Sequence, residues 1–279
     1  MSKKLVRIIS KLDIKNGLLI KGINLEGLRV LGYPEYFAKK YYNDGIDEIC
    51  YVDNVATLYG TNNLSKFIKK TSENNFIPLA VGGGIKKISD VERMLKNGAD
   101  KVCINSAAVE NIDIISKASK RFGSANICSL IEYVKYKNKF YITTSNGRDG
   151  HEINPINWAK KVARNGAGEI FLTSVNHEGL RSGFDIETIK QVSSSVDIPV
   201  IAHGGTGNFN HVLEVIKKTN VSGVAISSML HYNYNKKFKV KSKVGNFSYL
   251  NSLKKNKSDE NIISKLKKFL SKNKVHIRT

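Results

Sequence analysis

Two stretches of this 279-residue chain, about 120 residues apart, carry the same motifs in the same order. Arg7-Ile-Ile-Ser-Lys-Leu-Asp13 lines up with Asn126-Ile-Cys-Ser-Leu-Ile-Glu132, and Asp47-Glu-Ile-Cys-Tyr51 with Gly168-Glu-Ile-Phe-Leu172. Further on, Ile77-Pro-Leu-Ala-Val-Gly-Gly-Gly-Ile85 matches Ile198-Pro-Val-Ile-Ala-His-Gly-Gly-Thr206. Apolar runs of strand length recur eight times, at 6–12, 48–52, 77–81, 101–104, 127–131, 169–173, 198–202 and 223–227. Each is near-continuously hydrophobic, as a parallel strand buried on both faces must be. Helical patterns separate most of them, for example 34–43, 89–97, 112–122, 155–165 and 209–218. Strand alternating with helix means βαβ units. Two halves of four such units close most simply as an α/β fold, a (β/α)8 TIM barrel with a half-barrel internal repeat. An open doubly wound sheet is the runner-up and would need no duplication.

A barrel of this kind fills the whole chain as a single domain over residues 1–279. Residues 235–260 read as a basic insertion before the last helix. Much of the net charge of +21 lies from Asn235 to the end, where fourteen Lys or Arg face two acids and supply +12. A charge excess gathered in an appendage reads as a solvated surface sooner than as a nucleic-acid footprint, so nucleic acid is not an expected partner. From Asn261 onward, Ile262, Ile263, Leu266, Phe269 and Leu270 give an amphipathic helix, with Ser258-Asp259-Glu260 suited to its start. No apolar run approaches the roughly 18 residues that span a membrane, and no signal peptide precedes the first strand, so a cytoplasmic protein is expected.

Three cysteines, Cys50, Cys103 and Cys128, lie inside apolar runs and read as small core residues, not as a disulfide framework. Six scattered histidines offer no metal-ligand spacing, so neither a metal nor another cofactor is expected.

In a barrel of this class the active site lies at the carboxyl ends of the strands. Asp13 ends the first strand and Glu132 the fifth, which places two carboxylates opposite each other across the mouth. Gly83 and Gly84 follow one strand, and Gly204 and Gly205 occupy the same place in the second half. Glycines there let backbone N–H groups approach an anion closely, although a Gly-Gly alone also makes a tight turn. Matched clusters in both halves favour phosphate binding. Asn105 and Ser106 after the fourth strand, and Ser227 and Ser228 after the eighth, complete each end with side-chain donors, with Gly179 in the loop after the sixth strand. Two phosphate ends at one mouth imply a long bisphosphorylated small-molecule substrate.

The density of motifs carries a family resemblance. Lys11-Leu-Asp-Ile-Lys-Asn-Gly17, Val81-Gly-Gly-Gly-Ile85, Gly98-Ala-Asp-Lys-Val102, Ile104-Asn-Ser-Ala-Ala-Val109, Gly166-Ala-Gly-Glu-Ile170, Leu172-Thr-Ser174 and Ile198-Pro-Val-Ile-Ala202 are similar to the cyclase subunit of imidazole glycerol phosphate synthase. The likeness runs from about Val6 to His231 and resumes in the final helix. It implies a lyase of histidine biosynthesis that joins ammonia from a glutaminase partner to a bisphosphorylated ribulosyl aminoimidazole-carboxamide ribotide. Cyclisation and cleavage then release imidazole glycerol phosphate and an aminoimidazole carboxamide ribotide.

It further implies that Asp13 and Glu132 are the catalytic carboxylates, Glu132 standing where the family has aspartate. By the same resemblance, Arg7, Glu48, Lys101 and Glu169 match the family's ammonia gate, although alternating charges at a barrel floor also occur as self-compensating salt bridges. Other departures are Lys11 for a cysteine, Asn176-His-Glu-Gly179 for an aspartate-rich loop, and His203 for a serine. A histidine there either adds charge to a phosphate or narrows the pocket. The alternative reading is a non-cyclising paralogue that channels ammonia to a sugar amidotransferase in surface-polysaccharide synthesis. A third is the related isomerase of the histidine pathway, against which the gate ring and Ile104-Asn-Ser-Ala-Ala108 argue.

Overall fold

Twelve strands form one sheet in the computed structural model, which describes residues 5–56, 64–235 and 261–278. In chain order they are β1 (Arg7–Lys15), β2 (Leu18–Ile23), β3 (Glu26–Gly32), β4 (Glu48–Asp53), β5 (Leu79–Gly82), β6 (Lys101–Ile104), β7 (Ile127–Tyr136), β8 (Lys139–Thr144), β9 (Asp149–His151), β10 (Glu169–Ser174), β11 (Val200–His203) and β12 (Gly223–Ile226). Eight of them, β1, β4, β5, β6, β7, β10, β11 and β12, pair in parallel. The pairing of β7 with β10 closes the ring, so the fold is a (β/α)8 barrel. All eight expected apolar runs are barrel strands, with β1 and β7 extending three and five residues beyond the expected ends.

The apolar runs alone do not reveal those two extensions. Beyond the barrel rim β1 turns back as β2 and β3, and β7 as β8 and β9, all antiparallel. Asn16 and Gly17 at φ 50° and 76°, and Lys137 and Asn138 at φ 45° and 62°, make two-residue turns with both residues left-handed, the geometry that matches strand twist. Each half-barrel thus carries one hairpin at the carboxyl end of its first strand, and the duplication extends beyond the motifs.

The helices are α1 (Pro34–Asn43), α2 (Ser65–Ser72), α3 (Ile88–Lys96), α4 (Ser106–Glu110), α5 (Asp113–Phe122), α6 (Pro155–Arg164), α7 (Ile186–Ser193), α8 (Phe209–Lys218), α9 (Ser228–Asn235) and α10 (Ile262–Lys272). Their starts are specified locally: Asn154 accepts from the Ile156 and Asn157 N–H groups ahead of Pro155, Asp185 from Thr188, and Asn208 from His211. The cap of α10 is Asn261, which accepts from Ser264 at 2.9 Å. Ser258-Asp259-Glu260, expected at that start, lie outside the described residues, as does the basic stretch after Asn235. Lys267 of α10 donates to Asp47 at 2.6 Å, and Asp47 in turn accepts from the Ile8 N–H at 2.8 Å. A bridge between Val6 and Ile277 adds to this seam.

Two apolar layers result. The larger fills the space between sheet and helices, including Ile8, Leu12, Tyr51, Ile131, Trp158, Leu172 and Leu266. The smaller is the barrel lumen: Ile9, Cys50, Val52, Ala80, Cys103, Cys128, Leu130, Phe171, Ile201 and Ala225. All three cysteines are free, buried and gathered there. Mutual hydrogen bonding with Cys128 and Cys50, then burial, pushes the Cys103 thiol well above its ordinary range, which leaves it unreactive. Among the described residues no helix is long and apolar enough to cross a membrane.

Candidate active site

Strand periodicity places every second residue of β1 on the lumen side, so Ile9, Lys11 and Asp13 rise in order from the barrel interior to the mouth. On β7 the same rule brings Cys128, Leu130 and Glu132 inward. Because β1 and β7 are four strands apart in a ring of eight, Asp13 and Glu132 face each other across the mouth, both buried.

Their surroundings differ. Lys11 donates to Asp13 Oδ1, and Lys21 Nζ lies 3.9 Å from Oδ2. Burial alone would raise the Asp13 pKa, but the two ammonium groups outweigh it and hold this carboxyl well below the usual carboxylate range. Glu132 receives one side-chain donor, Asn105 Nδ2 at 3.3 Å. Burial pushes it up to about 7; Lys11 opposes the shift, while Asp13 and Glu178 reinforce it. Near neutral pH the pair therefore divides into an ionised and a protonatable carboxyl, the arrangement that acid–base chemistry requires.

All nine residues expected at the phosphate ends gather into two clefts on opposite sides of this pair. Gly83, Gly84, Asn105 and Ser106 line the larger, of about 590 Å³, with Asn54, Lys86, Glu132 and Asn146. Gly179, Gly204, Gly205, Ser227 and Ser228 line the smaller, of about 210 Å³, with Glu178, His203 and Thr206. Glycine is enforced in both. A Cβ on Gly83 (φ +101°) would lie 2.3 Å from the Asp53 carbonyl oxygen, and one on Gly205 (φ +110°) 1.8 Å from that of Gly183. Asn105 Oδ1 and Thr206 Oγ1 are buried without a protein partner, one in each cleft, so each has hydrogen-bonding capacity left for a ligand. Ser227 lines the smaller cleft and is also tied to the first strand. Its hydroxyl donates inward to the Lys11 carbonyl at 2.9 Å.

Between the clefts lies a buried polar cluster that the sequence only partly signalled. Lys21, in the middle of β2, pairs with Glu178. Glu178 Oε1 is also 3.7 Å from His203 Nε2. His203 accepts no charge: burial, then Lys11 and Lys21, lower its pKa well below the ordinary imidazole value. With Ser227 donating to Lys11, His203 Nε2 donates to Ser227 Oγ at 3.2 Å, and Nδ1 accepts from Thr173 at 3.1 Å. Of the two roles open for this histidine, the lowered pKa speaks against the charging one. Asn176 is turned aside, its Oδ1 accepting from the Lys135 N–H at 2.8 Å, so Glu178 is the acid that the loop after β10 contributes.

At the amino-terminal end of the lumen, Arg7, Glu48, Lys101 and Glu169 form one closed ring. Arg7 bonds Glu48 at 2.5 Å and also Glu169, while Lys101 reaches Glu48 at 3.1 Å and Glu169 at 2.8 Å. Each cation holds both anions, so the plug is self-neutralising.

A duplicated (β/α)8 barrel with two glycine-lined clefts around an opposed carboxylate pair defines a class: barrel enzymes whose chemistry lies at the carboxyl ends of the strands. Residues 7–236 match the histidine biosynthesis protein family, and the chain belongs to it. It is 52% identical over 203 residues to the imidazole glycerol phosphate synthase subunit HisF of Legionella pneumophila, covering 72% of this chain and 96% of that protein. It is 48% identical over 211 residues to the HisF subunit of Sulfurisphaera tokodaii, covering 76% and 85%. With that of Bacillus cereus strain G9842 the identity is 43% over 227 residues, covering 81% and 90%. The paralogue reading draws no support from these relatives.

Proposed function

We propose that this chain is the cyclase subunit of imidazole glycerol phosphate synthase and acts in histidine biosynthesis. The observation that carries the reading is the opposed Asp13–Glu132 pair, one ionised and one protonatable, set between two clefts that each end in an enforced glycine loop. The substrate is the bisphosphorylated ribulosyl ribotide. One phosphate would sit on Gly83, Gly84, Asn105 and Ser106, the other on Gly179, Gly204, Gly205 and Ser228, with Ser227 supporting from below. Held at both ends, the substrate presents its keto sugar to the carboxylates, and fixed orientation supplies part of the rate. Ammonia addition and ring closure need a proton delivered and a proton removed. Glu132 delivers and Asp13 accepts.

Ammonia enters from a glutaminase subunit docked as a heterodimer on the opposite face, where the Arg7–Glu48–Lys101–Glu169 ring must open for it to pass. The lumen above the ring is lined by apolar side chains and thiols, and among the described residues it presents no ionised group until Lys11, which suits a neutral passenger. The chain works as one barrel domain with residues 235–260 inserted before the last helix, and a cytoplasmic location accords with the reaction.

The test is turnover of the bisphosphorylated ribotide with an ammonium salt in place of the glutaminase. Formation of imidazole glycerol phosphate supports the reading. Folded, ligand-binding protein that yields none at high ammonium rejects it.

A further inference from the structure

Neither the clefts nor the gate accounts for Lys11. It has no solvent exposure, lies on the lumen side one step below Asp13, and lines neither cleft. A buried ammonium is costly unless it is paired and anchored, and here the whole residue is anchored. Its Nζ donates to Asp13, and its carbonyl accepts from Ser227 Oγ at 2.9 Å and His231 Nε2 at 3.0 Å. His231 is braced in turn by the Tyr41 hydroxyl at 2.7 Å from Nδ1.

Charged and titratable groups face this point from every surrounding element: Asp13 on β1, Lys21 on β2, Glu132 on β7, Glu178 after β10, His203 on β11 and His231 on α9. Burial holds both histidines neutral, pushing His231 down to about 3. Lys21 is engaged mainly by Glu178, and its ammonium stands 3.9 Å from Asp13. That leaves Lys11 as the cation in direct contact with Asp13.

We propose that Lys11 is a positioning residue that divides the roles of the two carboxylates: its buried ammonium clamps Asp13 as the ionised member, so that Glu132 across the mouth is the one that carries the proton. The chemistry of this inference rests on the cyclase reading; the geometry does not. Two buried carboxyls facing one cavity disfavour each other's ionisation, and without a further charge neither has a fixed role. A cation built against one of them makes the asymmetry structural. Lys11 acts through Asp13 and not on substrate, because it reaches neither cleft.

Carboxyl infrared difference spectroscopy of the full chain, titrated from about pH 5 to about pH 9, reads the roles without turnover. In the parent, one carboxyl band titrates near 7 and is lost in Glu132→Gln; none belongs to Asp13. In Lys11→Met, a second band enters the window and is lost in Lys11→Met/Asp13→Asn. In Asp13→Asn, which frees Lys11 to act on Glu132, the Glu132 band moves to lower pH. With ammonium and ribotide, Lys11→Met keeps KM within about twofold, whereas kcat falls about tenfold or more on the acid side of the profile. A Lys11→Met spectrum in which Asp13 stays ionised throughout overturns the proposal. Should that variant not fold, a Glu132 band that stays near 7 in Asp13→Asn overturns it equally. A parent that yields no product would instead count against the cyclase reading and leave the spectra interpretable.

Discussion

Glu132 shows how one buried side chain links stability to chemistry. Its folded-state pKa, about 7, lies above its unfolded value, so its contribution to stability is complete at low pH and is lost as pH rises through the window ending near 7. Glu132→Gln cannot ionise and escapes that loss. The melting temperature of Glu132→Gln relative to the parent is therefore expected to rise between pH 5 and pH 8, read by circular dichroism; a difference independent of pH contradicts the assignment. Asp13 has the opposite sign. Its lowered pKa stabilises the fold above the ordinary carboxylate range, and that contribution is lost on acidification. At the bench both substitutions are expected to cost about a hundredfold to ten-thousandfold in ammonium-supported turnover. Glu132→Asp is informative in another way. The site is built for the longer side chain, with Asn105 Nδ2 at 3.3 Å, so shortening it withdraws the carboxyl from that donor and is expected to lower kcat about tenfold or more.

At the scale of the element, the two glycine loops and the gate ring differ in what they demand of the backbone. Gly205 sits at φ +110° with the Gly183 carbonyl where a Cβ would be, so Gly205→Ala must shift one of the two strands of backbone. It is expected to cost more than about 1 kcal/mol of stability and to weaken inorganic phosphate binding, measured by denaturant unfolding and by calorimetry. The ring demands charge balance instead. Removing Lys101 leaves Glu48 and Glu169 with Arg7 alone, and breaking a buried network this way typically costs about 3 kcal/mol, so Lys101→Met should lower the denaturation midpoint strongly.

These elements also mark how far the sequence could be read. Parallel strands buried on both faces are legible as apolar runs, and the charged residue that begins each of β1, β4, β6 and β10 is legible because it interrupts such a run. The hairpins were signalled more weakly. Asn16-Gly17 is a strong turn dipeptide, but Lys137-Asn138 is not, and neither says where the returning strand lies. Lys21 was illegible: its partner Glu178 is 157 residues away, and nothing in Leu18-Leu-Ile-Lys-Gly-Ile23 indicates that this lysine is buried. The same holds for Ser227, whose hydroxyl turns inward to a carbonyl 216 residues distant.

For the whole molecule, the barrel axis separates two tasks. The amino-terminal end carries a neutralised ring, the lumen carries apolar side chains and thiols, and the carboxyl end carries a charge cluster between two clefts. Duplication explains the symmetry of the clefts and hairpins. The charge cluster departs from that symmetry, with Lys11 and Lys21 on one side and Glu132 on the other. The last helix, α10, covers the apolar layer with Ile263, Leu266 and Leu270 and is tied to β1 through Lys267 and Asp47.

The central claim is that the Asp13–Glu132 mouth performs cyclisation with ammonia. Its most direct test is steady-state formation of imidazole glycerol phosphate from the bisphosphorylated ribotide and ammonium, run for the parent beside Asp13→Asn and Glu132→Gln. Product from the parent and near-complete loss in both variants is the expected result. Equal rates in all three, or no product from a folded parent, would contradict it.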